Sequence, residues 1–335
     1  MTKKVSGMVF SATRINAVKG LAIFSVVLLH VFAYLKGIYT NASYNFIFIL
    51  LDQAMRFCVP SFLILSGYGL AAKYENKSFF YWPFIKKRFL KLLPLYLLWS
   101  LVSILIFKLV PVWSSGLSPD SIFTILLLGR ADYQLYFLPV IFQLYLLFPF
   151  LWLLRKQPQL LFGLSLAVQI LFYLYFSLHF SLTDRFEYVL GFSWLGYFGL
   201  GIWLRLCSLH PSIIKFIGLM TLTILLSMAL FAKRAIDNGL DPLPALKFTR
   251  LFVIPLATLV SLWFLFFSAK FHFLGLKAGK VLSFLGKNSY LIFLSHTLGL
   301  RIIYAIITAQ LSIFTLIWIS LLWSAAVYLS LKLKF

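Results

Sequence analysis

Acid is scarce in this 335-residue chain: eight Asp and Glu stand against 30 Lys and Arg, for a formal net charge of +22. Charged residues of both signs reach only 11%, whereas soluble domains run near a quarter, and 62% of positions are hydrophobic. That excludes a soluble globule. It also excludes disorder, because disordered chains are poor in aromatic side chains and here these alone make 19%. Cysteine is nearly absent. Cys58 and Cys207 both fall inside apolar stretches, which leaves a disulfide framework and a Cys-based metal site unsupported, and no metal is expected. No small-residue cleavage site follows the first apolar stretch, so it reads as a membrane span and not as a cleavable leader. The loops and motifs of soluble enzymes (a Walker loop, GxGxxG, HExxH, GxSxG) are missing too. Chemistry, if there is any, is expected among the apolar segments themselves.

Those segments are abundant. A spanning helix needs about 20 mostly apolar residues to cross roughly 30 Å of hydrocarbon, and ten stretches qualify: 18–36, 46–72, 88–110, 134–154, 160–180, 189–206, 212–232, 249–269, 283–308 and 311–331. Ile122 to Leu128 is too short to cross and is expected at the interface. Runs such as LAIFSVVLL lack the alternation of barrel strands. The expected fold class is all-α and polytopic: a bundle of about ten transmembrane helices forming one membrane domain over residues 1–335, without a soluble fusion domain. A charge of +22 could suggest nucleic acid, but cytoplasmic loops of membrane proteins collect Lys and Arg. With ten spans, 20 of the 30 basic residues fall on the N-terminal side and eight on the other, leaving Arg56 and Arg301 inside spans. This places both termini in the cytoplasm, with the bilayer and not nucleic acid as partner. The loop from Lys233 to Arg250 is the exception, with four positive charges on the outer side beside Asp237, Asp241, Pro242 and Pro244.

Ionisable groups inside a span are costly and mark functional candidates. In the first span Lys19 and His30 are eleven residues apart, about three helical turns and about 16.5 Å, and so share one helix face. Asp52 and Arg56 are neighbours four apart on the second span, and Arg56 is expected at much the same depth as His30. Pro60 and the run Ser66-Gly67-Tyr68-Gly69 are expected to weaken that helix further along. Gln143 and Tyr145 sit near the centre of the fourth span between Pro139 and Pro149. The ninth carries His296 at its middle and Arg301 beyond it. With that span starting near Ser283, His296 lies about 20 Å in. The two residues point to different sides of the helix, so Arg301 is expected to pair structurally or to anchor outward. Each polar group could be only an interhelical hydrogen bond; several at similar depth suggest a polar cavity.

Five segments resemble the membrane acyltransferase-3 family, bacterial O-acyltransferases of cell-surface glycans. The first has Lys19 and His30 where the family has Arg, ten residues, then His. The others are RFCVPSFLILSGYGL (56–70), KKRFLKLLPLYLLW (86–99), YFLPVIFQLYLLFP (136–149) and FLGKNSYLIFLSH (284–296). Lys19 keeps the charge of the family's Arg but lacks its planar fork. The resemblance implies transfer of an acyl group, usually acetyl from acetyl-CoA, to a sugar hydroxyl beyond the membrane. No cofactor would be permanently bound, acyl-CoA would be the donor, and the acceptor would be a glycan or lipid-linked sugar. It further implies a multi-pass protein of the bacterial cytoplasmic membrane. On this reading His30, Arg56 and Asp52 are catalytic, Lys19, Ser66, Tyr68 and Arg88 bind the donor, and Gln143, Tyr145 and His296 line the cavity or acceptor side. The competing expectation is a polysaccharide exporter or proton-coupled carrier of the same fold, with His30 and His296 as relay groups.

Overall fold

A computed structural model describes residues 9–38, 42–109, 122–179, 186–207, 213–238, 253–267, 275–308 and 311–332. In that part of the chain there are helices and turns but no strand. The α-helices are α1 (Ala12–Ile38), α2 (Ala42–Met55), α3 (Cys58–Tyr74), α4 (Tyr81–Leu109), α5 (Ile122–Leu127), α6 (Phe137–Leu153), α7 (Pro158–His179), α8 (Phe186–Val189), α9 (Leu195–Leu206), α10 (Ile213–Asp237), α11 (Val253–Phe267), α12 (Gly275–Lys287), α13 (Ser289–Ile307) and α14 (Ile313–Lys332). Among the described residues eight helical segments are long and apolar enough to cross a membrane. The protein is an all-α, multi-pass membrane protein.

Four departures from the expected spans have physical causes. The second span is two helices, broken at Arg56 and Phe57. Pro60 has no N–H to give the Arg56 carbonyl four residues back, so the hydrogen-bond ladder is interrupted at that turn. The Ser66–Gly69 run, expected to be a weak point, lies inside continuous α3. The sixth span is a 3-10 turn, Gly191–Trp194, followed by the 12-residue α9. At about 18 Å that helix is too short to cross by itself, yet nearly all of it is buried by protein. The ninth span starts at Ser289 and not near Ser283, because residues 275–287 form the separate helix α12. His296 is therefore about 10 Å from the start of its helix instead of 20 Å. Of the eighth span, α11 covers 15 residues, while 249–252 and 268–269 lie outside the described residues. Asp241, Pro242, Pro244, Lys247 and Arg250 of the outer loop lie outside them as well.

The chain divides into two compact units. The first comprises Met1–Ser78, Phe150–Glu187 and Phe192–Ser289. Within it α1 packs against α2, α3, α11 and α12, and α9 lies between α3 and α7. Ile49, Phe57, Met228, Ala232, Leu256 and Val260 form an apolar core. Two seams bring helix backbones into contact. A side chain at Gly67 would overlap the Phe198 carbonyl, and one at Gly201 the Ile64 carbonyl, so α3 and α9 approach to backbone distance. Gly20 meets Leu282 and Gly286 meets Asn16 in the same way, joining α1 to α12. Glu75 and Arg205 pair at the end of the α3–α9 seam.

The second unit comprises Phe79–Pro149, Tyr188–Gly191 and Tyr290–Phe335. Polar bonds tie its helices together: Trp99 Nε1 donates to Ser330 Oγ at 2.9 Å, Tyr290 to the Leu92 carbonyl at 3.0 Å, and Trp323 to the Ser295 carbonyl at 3.1 Å. Tyr96 donates to the Leu126 carbonyl, and Phe89 stacks on Phe142 with ring centroids 4.5 Å apart.

The α3–α9 seam makes a paired prediction on one helix. Gly67→Ala forces a methyl into backbone and should cost about 1–3 kcal/mol, lowering the thermal midpoint of the purified protein. Gly69, with open space around its α-carbon, should tolerate Ala or gain up to about 1 kcal/mol from the lower chain entropy. Equal midpoints for the two variants would refute this account of the seam.

Candidate functional site

In the first unit α1 is unbroken from Ala12 to Ile38, so Lys19 and His30 do lie on one continuous helix with about 20° between their directions. Both are half-buried. The neighbouring helices α2 and α3 carry the other candidates. Asp52 Oδ2 accepts the Arg56 Nε–H at 2.6 Å and the Gln53 amide at 2.7 Å. The Arg56 side chain is 12% exposed and that of Asp52 25%. The pair stands at the last turn of α2, where the helix's partial negative charge favours a cation such as Arg56. Ser66 is half-buried on α3. Tyr68 is buried, with its hydroxyl accepting the Phe10 N–H at 2.8 Å and its ring against Phe10 at 5.2 Å. One turn of the glycine-containing motif therefore also fixes the chain leading into α1.

The remaining candidates fall in the second unit. The Arg88 guanidinium lies over the rings of Tyr145, 5.5 Å away, and Phe84, 5.7 Å away, so sequence-distant α4 and α6 bring two predicted residues together. Gln143 uses its carboxamide on backbone: Nε2 donates to the Val189 carbonyl at 2.8 Å and Oε1 accepts the Gly191 N–H at 2.9 Å. That imitates a strand pairing and holds an irregular segment which lacks a helix to satisfy it. His296 is buried, with Nδ1 2.9 Å from the Phe293 carbonyl and 3.0 Å from that of Ile292. Carbonyls only accept, so Nδ1 carries a proton.

Beside it is a network the sequence reading did not anticipate. Asp132, its side chain wholly buried, accepts from Thr297 Oγ1 at 2.7 Å, the Tyr133 N–H at 2.8 Å and Arg301 Nη2 at 3.3 Å. Gln134 donates to Thr297 at 2.6 Å. The Arg301 guanidinium also lies 4.6 Å over Phe107. Arg301 thus pairs structurally.

The sequence profile of the family described as "Acyltransferase domain" matches residues 13–330, which takes in every candidate above. The chain belongs to the acyltransferase-3 family. No curated protein and no solved structure matches it. Membership makes this protein a membrane acyltransferase. It accounts for a chain that carries its polar groups inside the spans, since these helices make up nearly all of the matched domain.

Reading the acyltransferase's sequence found the paired positions on single helices but missed Gln53, Asp132, Gln134 and Thr297. With only eight acids in the chain, the one usable signal was that Asp132 and Asp52 each had to hold a cation. Burial of Asp132 sets the energetic stake. Arg301→Met leaves a carboxylate buried without its counter-charge and should cost about 3–5 kcal/mol. Adding Asp132→Asn should recover most of that loss. Thermal midpoints of the two single variants and the double variant decide it, and additive losses would sink the pairing.

Proposed function

We propose that this acyltransferase moves an acyl group, acetyl in the first instance, from acyl-CoA to a hydroxyl of a cell-envelope or exported glycan in the bacterial cytoplasmic membrane. The observation that carries the reading is the continuity of α1, which holds Lys19 and His30 about 16.5 Å apart on one face beside the helices of the Asp52–Arg56 pair. A sugar hydroxyl is a weak nucleophile. His30 as general base removes its proton while the oxygen attacks the thioester carbonyl carbon. The carbon–sulfur bond then breaks, and the proton passes to the departing thiolate to give free CoA and an ester.

Arg56 polarises the thioester carbonyl as negative charge develops on its oxygen. Asp52 holds the guanidinium in place through Nε. Lys19, at the cytoplasmic end of α1 in this topology, meets the phosphates of the nucleotide, and Ser66 and Tyr68 belong to the donor side; in the second unit Arg88 is the donor-binding residue. Gln143, Tyr145 and His296 belong to the cavity or acceptor side. The single membrane domain over residues 1–335 with both termini cytoplasmic is the arrangement that gives the donor access from within.

His30→Ala should insert normally yet lose at least about 100-fold in transfer from labelled acetyl-CoA, the scale of a lost general base. Mass spectrometry of surface glycans should show the ester missing. Lys19→Ala should weaken CoA binding by about tenfold in a direct titration, as expected for one lost phosphate contact. Full transfer by well-expressed His30→Ala rejects the base. Solute flux into proteoliposomes without any thioester turnover would instead identify a carrier.

A further inference from the structure

Helix α12 has no part in the proposed chemistry, and its surface is unusual for this chain. Its 13 residues include three lysines and no acid. One edge is fixed on α1, with Leu282 against Gly20 and Gly286 against Asn16. Since 286 pairs with 16 and 282 with 20, the two helices run antiparallel there. At 100° per residue, Lys277, Lys280, Val281, Phe284 and Lys287 fall within an arc of about 120° whose centre is opposite that contact edge. All five are exposed, Val281 by 57% and Phe284 by 64%. An arc that alternates ammonium groups with bare apolar side chains is out of place in water, and equally out of place in hydrocarbon alone.

Depth resolves the conflict. At 27 residues α1 is about 40 Å long, some 10 Å more than the hydrocarbon layer, so its first turns extend into the headgroups. Asn16 to Gly20 then mark the boundary. Lys287 stands level with the start of α1, while Lys280 and Lys277 lie level with points roughly 3 and 8 Å past Gly20. A lysine stem returns the Lys280 ammonium to the boundary, its methylenes lying along Phe284 and Val281, and brings that of Lys277 most of the way there. We propose that the outer face of α12 is a binding site for anionic phospholipids, whose headgroup phosphates meet Lys277, Lys280 and Lys287 and whose first acyl carbons meet Val281 and Phe284. The charge of the face selects the lipid: three ammonium groups without an acid favour an anionic headgroup over a zwitterionic one. Because the glycine contacts leave no slack between α12 and α1, a lipid holding α12 also fixes the turn of α1 that bears Lys19.

The test uses the full-length protein in vesicles of phosphatidylcholine with and without about one-third phosphatidylglycerol, followed by extraction and quantification of the retained lipid by native mass spectrometry. Wild type should retain phosphatidylglycerol selectively, and Lys277→Gln/Lys280→Gln/Lys287→Gln should lower the apparent affinity by at least about tenfold, each lysine near the surface contributing several-fold. Replacing the three by Arg should restore retention. Should the Gln variant fail to insert, the wild-type protein decides alone: raising salt must release the lipid, as screening demands. Equal retention of both lipids by wild type, retention unchanged in the Gln variant, or indifference to salt would overturn the site. None of these readouts involves acyl transfer, so the outcome stands apart from that of the proposed reaction.

Discussion

Between helices surrounded by hydrocarbon the hydrophobic effect supplies little net attraction, so association rests on surface fit and on the few polar groups available. In the first unit the fit is made where Gly67 and Gly201 join α3 to α9, and where Gly20 and Gly286 join α1 to α12. Everything proposed for chemistry on α1, α2 and α3 depends on these contacts. The seam at Gly20 sets the position of Lys19 one residue before it. The seam at Gly67 sets the helix that starts just after Arg56 and bears Ser66 and Tyr68. Glycine in the SGY stretch is thus explained by packing, whatever its neighbours do for a substrate.

Much of the architecture was legible because membrane spans obey one coarse rule, apolar length. The rule failed where protein replaced lipid as the surroundings. The 189–206 stretch reads as a span, but α9 is short and enclosed by α3 and α7, and the irregular turn before it is satisfied by the Gln143 carboxamide. Nothing local at Gln143 foretells a partner 46 residues away. The run 283–308 reads as continuous since Phe284 and Leu285 are apolar. The helix boundary at Asn288 instead follows from α12 being claimed by α1 through two glycines. Pro60 did announce the break in the second span, although the interruption falls four residues earlier, at the carbonyl its missing N–H leaves behind.

The candidate site divides in the same way. Periodicity on one helix was readable: Lys19 with His30, and Asp52 with Arg56, which do form an ion pair. Relations between helices were not. The stacking of Arg88 on Tyr145, the tie from Tyr68 to Phe10 and the convergence of Thr297 and Arg301 on Asp132 depend on how the bundle closes, which spacing within a segment does not encode. The separation of His296 from Arg301 around α13 was readable, and Arg301 does turn to a carboxylate of its own.

That carboxylate has counterparts elsewhere among the described residues. Asp52, Glu75 and Asp132 hold Arg56, Arg205 and Arg301, three of the chain's eight acids each committed to an arginine. Lysines serve elsewhere: Lys77, Lys86, Lys87, Lys91 and the three on α12 are exposed. In each of these three pairs the cation is arginine, while these lysines face outward. In a chain so poor in acid counter-charge is scarce, and each of these carboxylates is a single point of failure for the segment it secures. The same poverty leaves the chain as a whole with a charge of +22, so an approaching anion meets net attraction before it meets a site.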